Sequence, residues 1–142
     1  MAKWLTTEAA TALTAAELEA RLRRQAVGTP HLLLGLLADD RGRPAAILNS
    51  LGYSLRQVRY EAAHKLGTVA GRPARRRPGR SARLIEILDR AMQDARADGR
   101  SLVEPEDLLL ALVAEPEGKA AAILERLRPP EQGDPGMVPA AF

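Results

Sequence analysis

Residues 31–52 read HLLLGLLADDRGRPAAILNSLG, and residues 107–128 read DLLLALVAEPEGKAAAILERLR. The two stretches align without a gap, and eleven of 22 positions are identical. The matches are Leu32/Leu108, Leu33/Leu109, Leu34/Leu110, Leu36/Leu112, Ala38/Ala114, Gly42/Gly118, Ala45/Ala121, Ala46/Ala122, Ile47/Ile123, Leu48/Leu124 and Leu51/Leu127. Apolar residues lie on nearly all sides of the first leucine segment, the pattern of a central, buried helix. Gly42 and Gly118 mark a turn into a second short helix whose apolar residues face back on the first. Such units bury their faces best against a neighbouring copy, so the duplication points to an internal repeat.

The repeat extends outward from these blocks. Thr6 precedes a helical pattern of Ala9, Leu13, Ala16 and Ala20, and Ser81 precedes another of Leu84, Ile85, Leu88, Ala91, Met92 and Ala95. A hydroxyl at each start can accept a bond from an unpaired N–H of the first turn. The two starts are 75 residues apart and the leucine blocks 76, so one residue of slippage falls in the connection. Gly52 ends the first short helix, and Ser54 can cap a further one carrying Leu55, Val58 and Ala62 on one side. Residues 67–80, GTVAGRPARRRPGR, then read as an exposed, mobile linker. After Leu127 the proline- and glycine-rich run RPPEQGDPGMVPAAF reads as a disordered tail over 128–142.

A chain of 142 residues suits one domain, since two would each be marginal. Its only aromatics are Trp4, Tyr53, Tyr60 and Phe142, so Leu, Ile, Val and Ala must build the core, which favours helices over sheets. The absence of cysteine excludes disulfides, a thiol nucleophile and a cysteine zinc site. Glu8 and four threonines interrupt any signal-peptide core near the N-terminus, and no run approaches the roughly 20 apolar residues of a membrane span. The expectation is a soluble, cytoplasmic protein with no membrane partner.

The net charge is +3, but Arg72, Arg75, Arg76, Arg77 and Arg80 alone contribute five positive charges and leave −2 elsewhere. The basic character therefore belongs to one short stretch and not to a folded face, which argues against a nucleic-acid partner. Residues 72–80 read first as a solvated linker. If functional, they would attract acidic protein segments or nucleic acid in a salt-sensitive way.

The remaining chemistry-bearing residues favour plain structural roles. His31 stands at a helix start and His64 off the apolar line of its helix, with no further ligands at metal-binding spacing. Asp39-Asp40 and Glu104/Glu106 are explained by turns and helix starts, where acids are favoured. No serine has a triad-like context, and no G-x-x-x-x-G-K-[ST] occurs to cradle nucleotide phosphates. No enzymatic activity, metal or cofactor is expected.

Taken together, a leading helix, Gly28-Thr29-Pro30-His31-Leu-Leu-Leu-Gly-Leu-Leu, an acidic turn with glycine, Ala45-Ala46-Ile47-Leu48-x-x-Leu51-Gly52, a fourth helix and a second copy resemble the Clp N-terminal domain. This repeat domain stands at the front of ClpA- and ClpC-type AAA+ unfoldases, and the resemblance covers roughly residues 5–127. It implies an all-α fold of two pseudo-symmetric repeats of about four short helices, the second lacking its last. Repeat one spans 5–66, the basic linker 67–80 and repeat two 81–127. The resemblance implies a docking domain that receives substrates and adaptor proteins, hence a stand-alone module modulating a Clp unfoldase–protease.

Some family members bind phosphorylated arginine through a Gly-Thr-Glu-His motif at each leucine helix. Here the first copy has Pro30 for the glutamate, and the second, Glu104-Pro105-Glu106-Asp107, keeps only the carboxylate, at Glu106. The corresponding candidates are Thr29, His31 and Glu106. Aromatics near the start of each leading helix form, in the family, a surface recognised by adaptors and cyclic-peptide antibiotics. That surface corresponds to Trp4 and Leu5, also readable as a hydrophobic staple, and to Arg80 and Arg83 in the second copy. Two alternatives follow: a decoy that sequesters such peptides, and a nucleic-acid-associated regulator using Arg72, Arg75, Arg76 and Arg77.

Overall fold

A computed structural model describes residues 3–69 and 71–130. Seven helices follow in order: α1 (Thr7–Arg23), α2 (Thr29–Leu36), α3 (Arg43–Ser50), α4 (Leu55–Leu66), α5 (Ala82–Ala97), α6 (Pro105–Ala114) and α7 (Lys119–Arg126). The fold is all-α, with no strand among the described residues. The hydroxyl caps form as their positions imply. Thr6 Oγ1 accepts from the Ala9 N–H at 3.1 Å, Ser54 Oγ from Gln57 at 3.3 Å and Ser81 Oγ from Leu84 at 3.1 Å.

The two leucine helices occupy the centre. Leu32, Leu33 and Leu36 of α2 and Leu108, Leu109 and Leu112 of α6 are buried. Helix α1 lies on α2, and α5 lies on α6. The face α1 turns inward is mostly alanine (Ala9, Ala12, Ala16, Ala20), which lets the backbones approach closely. A Cβ added to Gly35 would collide with the Ala12 carbonyl oxygen and lie 2.9 Å from the Ala16 nitrogen. The equivalent position of the second leucine helix is Ala111, so α5 and α6 do not require a glycine there.

Helix α4 covers the outer side of α2 and touches α7. No helix follows α7 among the described residues, where Arg128–Pro130 are non-helical. The expected tail from residue 131 onward lies outside the described residues. Leu37 is buried and Leu34 half-buried, whereas their counterparts Val113 and Leu110 on α6 are 48% and 58% exposed.

Two isolated parallel bridges, Leu5–Val103 and Val27–Arg80, tie the halves together. Thr6 donates to the Val103 carbonyl at 3.0 Å, and Val103 donates to that of Trp4 at 2.8 Å. Val27 donates to the Gly79 carbonyl at 2.8 Å, and Ser81 donates to that of Val27 at 2.9 Å. Each bridge thus joins the lead-in to the first helix of one half with the lead-in to the leucine helix of the other.

The basic segment, expected as a mobile linker, is exposed yet tied to α1. Ala74 and Arg21 exchange two bonds, the Ala74 N–H to the Arg21 carbonyl and Arg21 Nε to the Ala74 carbonyl, each 2.9 Å. Arg77 binds Glu17 at 2.9 Å, and Arg23 Nε donates to the Gly67 carbonyl at 3.0 Å. The expectation that positive charge avoids any folded face therefore fails: α1 supplies a scaffold for it.

Candidate functional site

His31 and Asp107 occupy the same joint in the two halves and perform the same task with different chemistry. The Gly28 N–H donates to His31 Nδ1 at 2.9 Å, and the Glu104 N–H donates to Asp107 Oδ2 at 2.8 Å. Each side chain thus accepts a bond from backbone at a helix start. With Nδ1 accepting, the imidazole proton sits on Nε2 and is donated to Gln25 Oε1 at 2.9 Å. Burial, aided by the Arg23 charge, lowers the His31 pKa from 6.5 to about 4, so the ring is neutral. In the second half Arg100 replaces the glutamine and grips Asp107 bidentately at 2.6 and 2.8 Å. That hydrogen-bonded pairing holds the Asp107 carboxyl below its usual range. Both ring nitrogens of His31 are occupied, which makes it a structural histidine.

Thr29 is likewise committed. Its buried Oγ1 accepts from the Ala120 N–H at 3.1 Å and caps the start of α7, whose own N-cap residue is Gly118. A cleft of 440 Å³ opens beside this joint, lined by Thr29, His31, Lys65, Arg83, Glu117 and Lys119 among others. Arg83 lies 3.3 Å from Glu115 and 3.4 Å from Glu117, which leaves Lys65 and Lys119 to set the sign of the cleft.

Glu106 faces a second, larger cleft of 660 Å³ between α1, the start of α3 and the start of α6. Glu8, Asp39, Glu104 and Glu106 line it against Arg41 and Arg43, so carboxylates prevail. Glu106 Oε2 reaches Arg43 at 3.5 Å. Glu106 Oε1 is buried and has no hydrogen-bond partner among the described residues. A buried carboxylate oxygen left in that state is costly unless a cation or donor meets it.

The candidates therefore divide between sites. Thr29, His31 and Arg83 meet at the smaller cleft, and Glu106 stands apart in the larger one. Trp4 and Leu5 are half-buried, pack against the core and pair through their backbone with the Val103 segment. Arg80 pairs with Val27, and its guanidinium lies 4.0 Å from Glu17. Arg77 reaches Glu17 of α1, and Arg72, Arg75 and Arg76 are exposed in the same segment. Arg43 and Lys119 complete the clefts and escape a reading by motif alone. Their signal is faint but present: both follow the glycine that opens the short helix. Among the described residues no group of three or more His, Asp or Glu is placed to hold a metal ion. No helix among them is long and apolar enough to cross a membrane.

The sequence profile of the Clp repeat (R) N-terminal domain matches residues 4–127. The chain is 36% identical over 107 residues to a Guillardia theta protein named ATP-dependent Clp protease ATP-binding subunit ClpA homolog. That alignment covers 75% of this chain and 13% of the relative. It is also 36% identical over 107 residues to Chaperone protein ClpC1, chloroplastic, of Arabidopsis thaliana, covering 75% of this chain and 11% of that one. Among solved structures, the N-terminal domain of the Arabidopsis thaliana chaperone ClpD superposes with a TM-score of 0.67 at 26% identity, covering 88% and 87% of the two chains. The Candida albicans Hsp104 N-terminal domain shares the fold alone, with a TM-score of 0.73 at 15% identity and coverage of 87% and 81%. The duplicated leucine helices, their capped joints and these similarities agree: the chain belongs to the Clp repeat N-terminal domain family.

Proposed function

We propose that this chain is a non-enzymatic protein- and peptide-binding module that modulates a Clp unfoldase–protease by binding its substrates, adaptors or peptide-like ligands. The chain spans about an eighth of the length of the curated relatives it matches, in the region where their N-terminal domain lies. In ClpA- and ClpC-type unfoldases that domain receives substrates and adaptors. The observation that carries the reading is the unpartnered, buried Glu106 oxygen in a 660 Å³ cleft. A basic side chain of an incoming segment would satisfy it, and Arg43 would help position an anionic group beside it. The smaller cleft has lost that carboxylate to Pro30 and carries Lys65 and Lys119 instead, so the two clefts differ in preference.

The test is calorimetric titration with peptides that differ at one position, which carries arginine, phosphoarginine or glutamine, against the parent chain and Glu106→Gln. An arginine-bearing peptide should bind the parent more tightly than its glutamine counterpart, and Glu106→Gln should erase the difference, a loss of about 1.5–3 kcal/mol for a charge-assisted bond. Equal binding of all three peptides removes Glu106 from the site. A pull-down from native lysate that recovers no Clp component, with no effect on Clp proteolysis, removes the functional reading.

A further inference from the structure

The positive charge, confined in sequence to a linker, becomes a built face once the chain folds. The Arg21–Ala74 exchange, the Arg23–Gly67 bond and the Arg77–Glu17 pair hold Gly67, Ala74 and Arg77 against the C-terminal half of α1. Arg72, Arg75 and Arg76 belong to this segment, and Arg24 is the residue that ends α1. All four are exposed, and none forms an ion pair with a carboxylate among the described residues. Among the described residues, the ion pairs of Arg21, Arg23, Arg24, Arg72, Arg75, Arg76, Arg77 and Arg80 involve Glu17 and Glu19 alone. The rest of the chain then holds 13 basic and 16 acidic residues. The molecule is thus polarised, with a concentrated cationic face on a body that is otherwise net negative.

A second observation concerns Arg24 itself. It ends α1 in the left-handed region, with φ 55°, and is the single non-glycine residue with positive φ among the described ones. The matching turn after α5 uses Gly99, at φ 79°. The backbone bonds correspond: Gln25 donates to Ala20, and Arg100 donates to Ala95. Glycine is the easier residue for such a turn. The first half instead keeps a cation at the end of α1, in a backbone state that costs it stability.

We propose that this face is a docking surface for an acidic segment of a partner protein. Guanidinium groups pair bidentately with carboxylates, and four unengaged ones on a backbone held by α1 offer several such contacts. Pro73 and Pro78 stiffen that backbone. A nucleic-acid duplex fits less well. It extends beyond the face onto a net-negative body, and the face carries no aromatic residue for stacking bases. This surface is separate from the Glu106 cleft, so it adds a second kind of contact to the proposed function.

Fluorescence anisotropy of a labelled short oligoglutamate peptide, titrated with the full chain at several salt concentrations, tests this. The parent should bind in a salt-dependent manner. Arg72→Gln/Arg75→Gln/Arg76→Gln, which spares the anchoring Arg21 and Arg77, should weaken binding by about tenfold or more and flatten the salt dependence. Arg24→Gly should weaken binding while leaving the melting temperature equal to or above the parent's, which separates loss of the face from loss of the fold. Binding by the triple variant within about twofold of the parent overturns the proposal, as does a DNA duplex that binds the parent more tightly than the peptide at equal salt. If the chain recovers no Clp component and leaves Clp proteolysis unchanged yet binds oligoglutamate through these arginines, the proposed function fails and the docking surface stands.

Discussion

His31 shows how one residue can couple stability to pH without taking part in any binding event. Its imidazole is buried between the Gly28 N–H and the side-chain amide oxygen of Gln25, and the bond from Gly28 to Nδ1 needs the neutral ring. The unfolded side chain takes up a proton near pH 6.5 and the folded one near 4, so the unfolded state binds more protons between those values. The histidine's contribution is complete above pH 6.5 and is lost as the pH falls toward 4, by up to about 3 kcal/mol. Chemical denaturation across this range should show that slope. Gln25→Arg/His31→Asp, which installs the chemistry of Arg100 and Asp107, should flatten it. A slope unchanged in the double variant would place the pH dependence in another group. Cap formation by a histidine was readable only as a local hydrogen bond at a helix start. Its neutrality depends on burial, which the sequence does not display.

At the level of elements, the packing of α1 on α2 is decided by small residues. The alanine face of α1 and Gly35 of α2 let the helices meet with no side chain between them. Gly35→Ala drives a methyl group into the Ala12 carbonyl and the Ala16 amide, and backbone cannot turn aside as a flexible side chain would. The expected loss is about 3 kcal/mol, read as a shift in denaturation midpoint, against about 1 kcal/mol or less for the reciprocal Ala111→Gly in α6. Equal costs in the two helices would mean that α1 can back away from α2. The sequence shows the difference between Gly35 and Ala111 but not its cause, because the helix that approaches each position comes from elsewhere in the chain. The same holds for Leu110 and Val113. Their leucine-helix pattern implies burial, and they lie exposed because no helix among the described residues covers α6 as α4 covers α2.

Across the whole molecule, the two halves are joined by contacts that neither could make alone. The bridges Leu5–Val103 and Val27–Arg80 cross between them, Thr29 caps α7, and the Tyr53 hydroxyl donates to the Leu124 carbonyl at 3.1 Å. Each half leaves helix starts and apolar faces for the other to satisfy. Unfolding should therefore be a single transition, with Trp4 fluorescence and far-ultraviolet circular dichroism tracing coincident curves in denaturant. A residue 3–66 fragment should stay largely unfolded. A Trp4 transition clearly ahead of the helical one would show that the bridges do not couple the halves.

The all-α class, the places where α1, α4 and α5 begin, and the central leucine helices are legible in the order of residues alone. Periodicity and capping act within a few residues, and two copies of the pattern made them unmistakable. What the polar residues do follows instead from the folded arrangement. Thr29 and His31, which match a ligand-binding motif, are occupied in holding helix starts, while Glu106 keeps a buried oxygen without a partner. The arginines that read as a loose linker form a face because Arg21 and Glu17, more than 50 residues away in the chain, hold them in place. A side chain's role rests on which distant groups satisfy its hydrogen bonds and charge. That is set when α1, α5 and the segment between α4 and α5 come together.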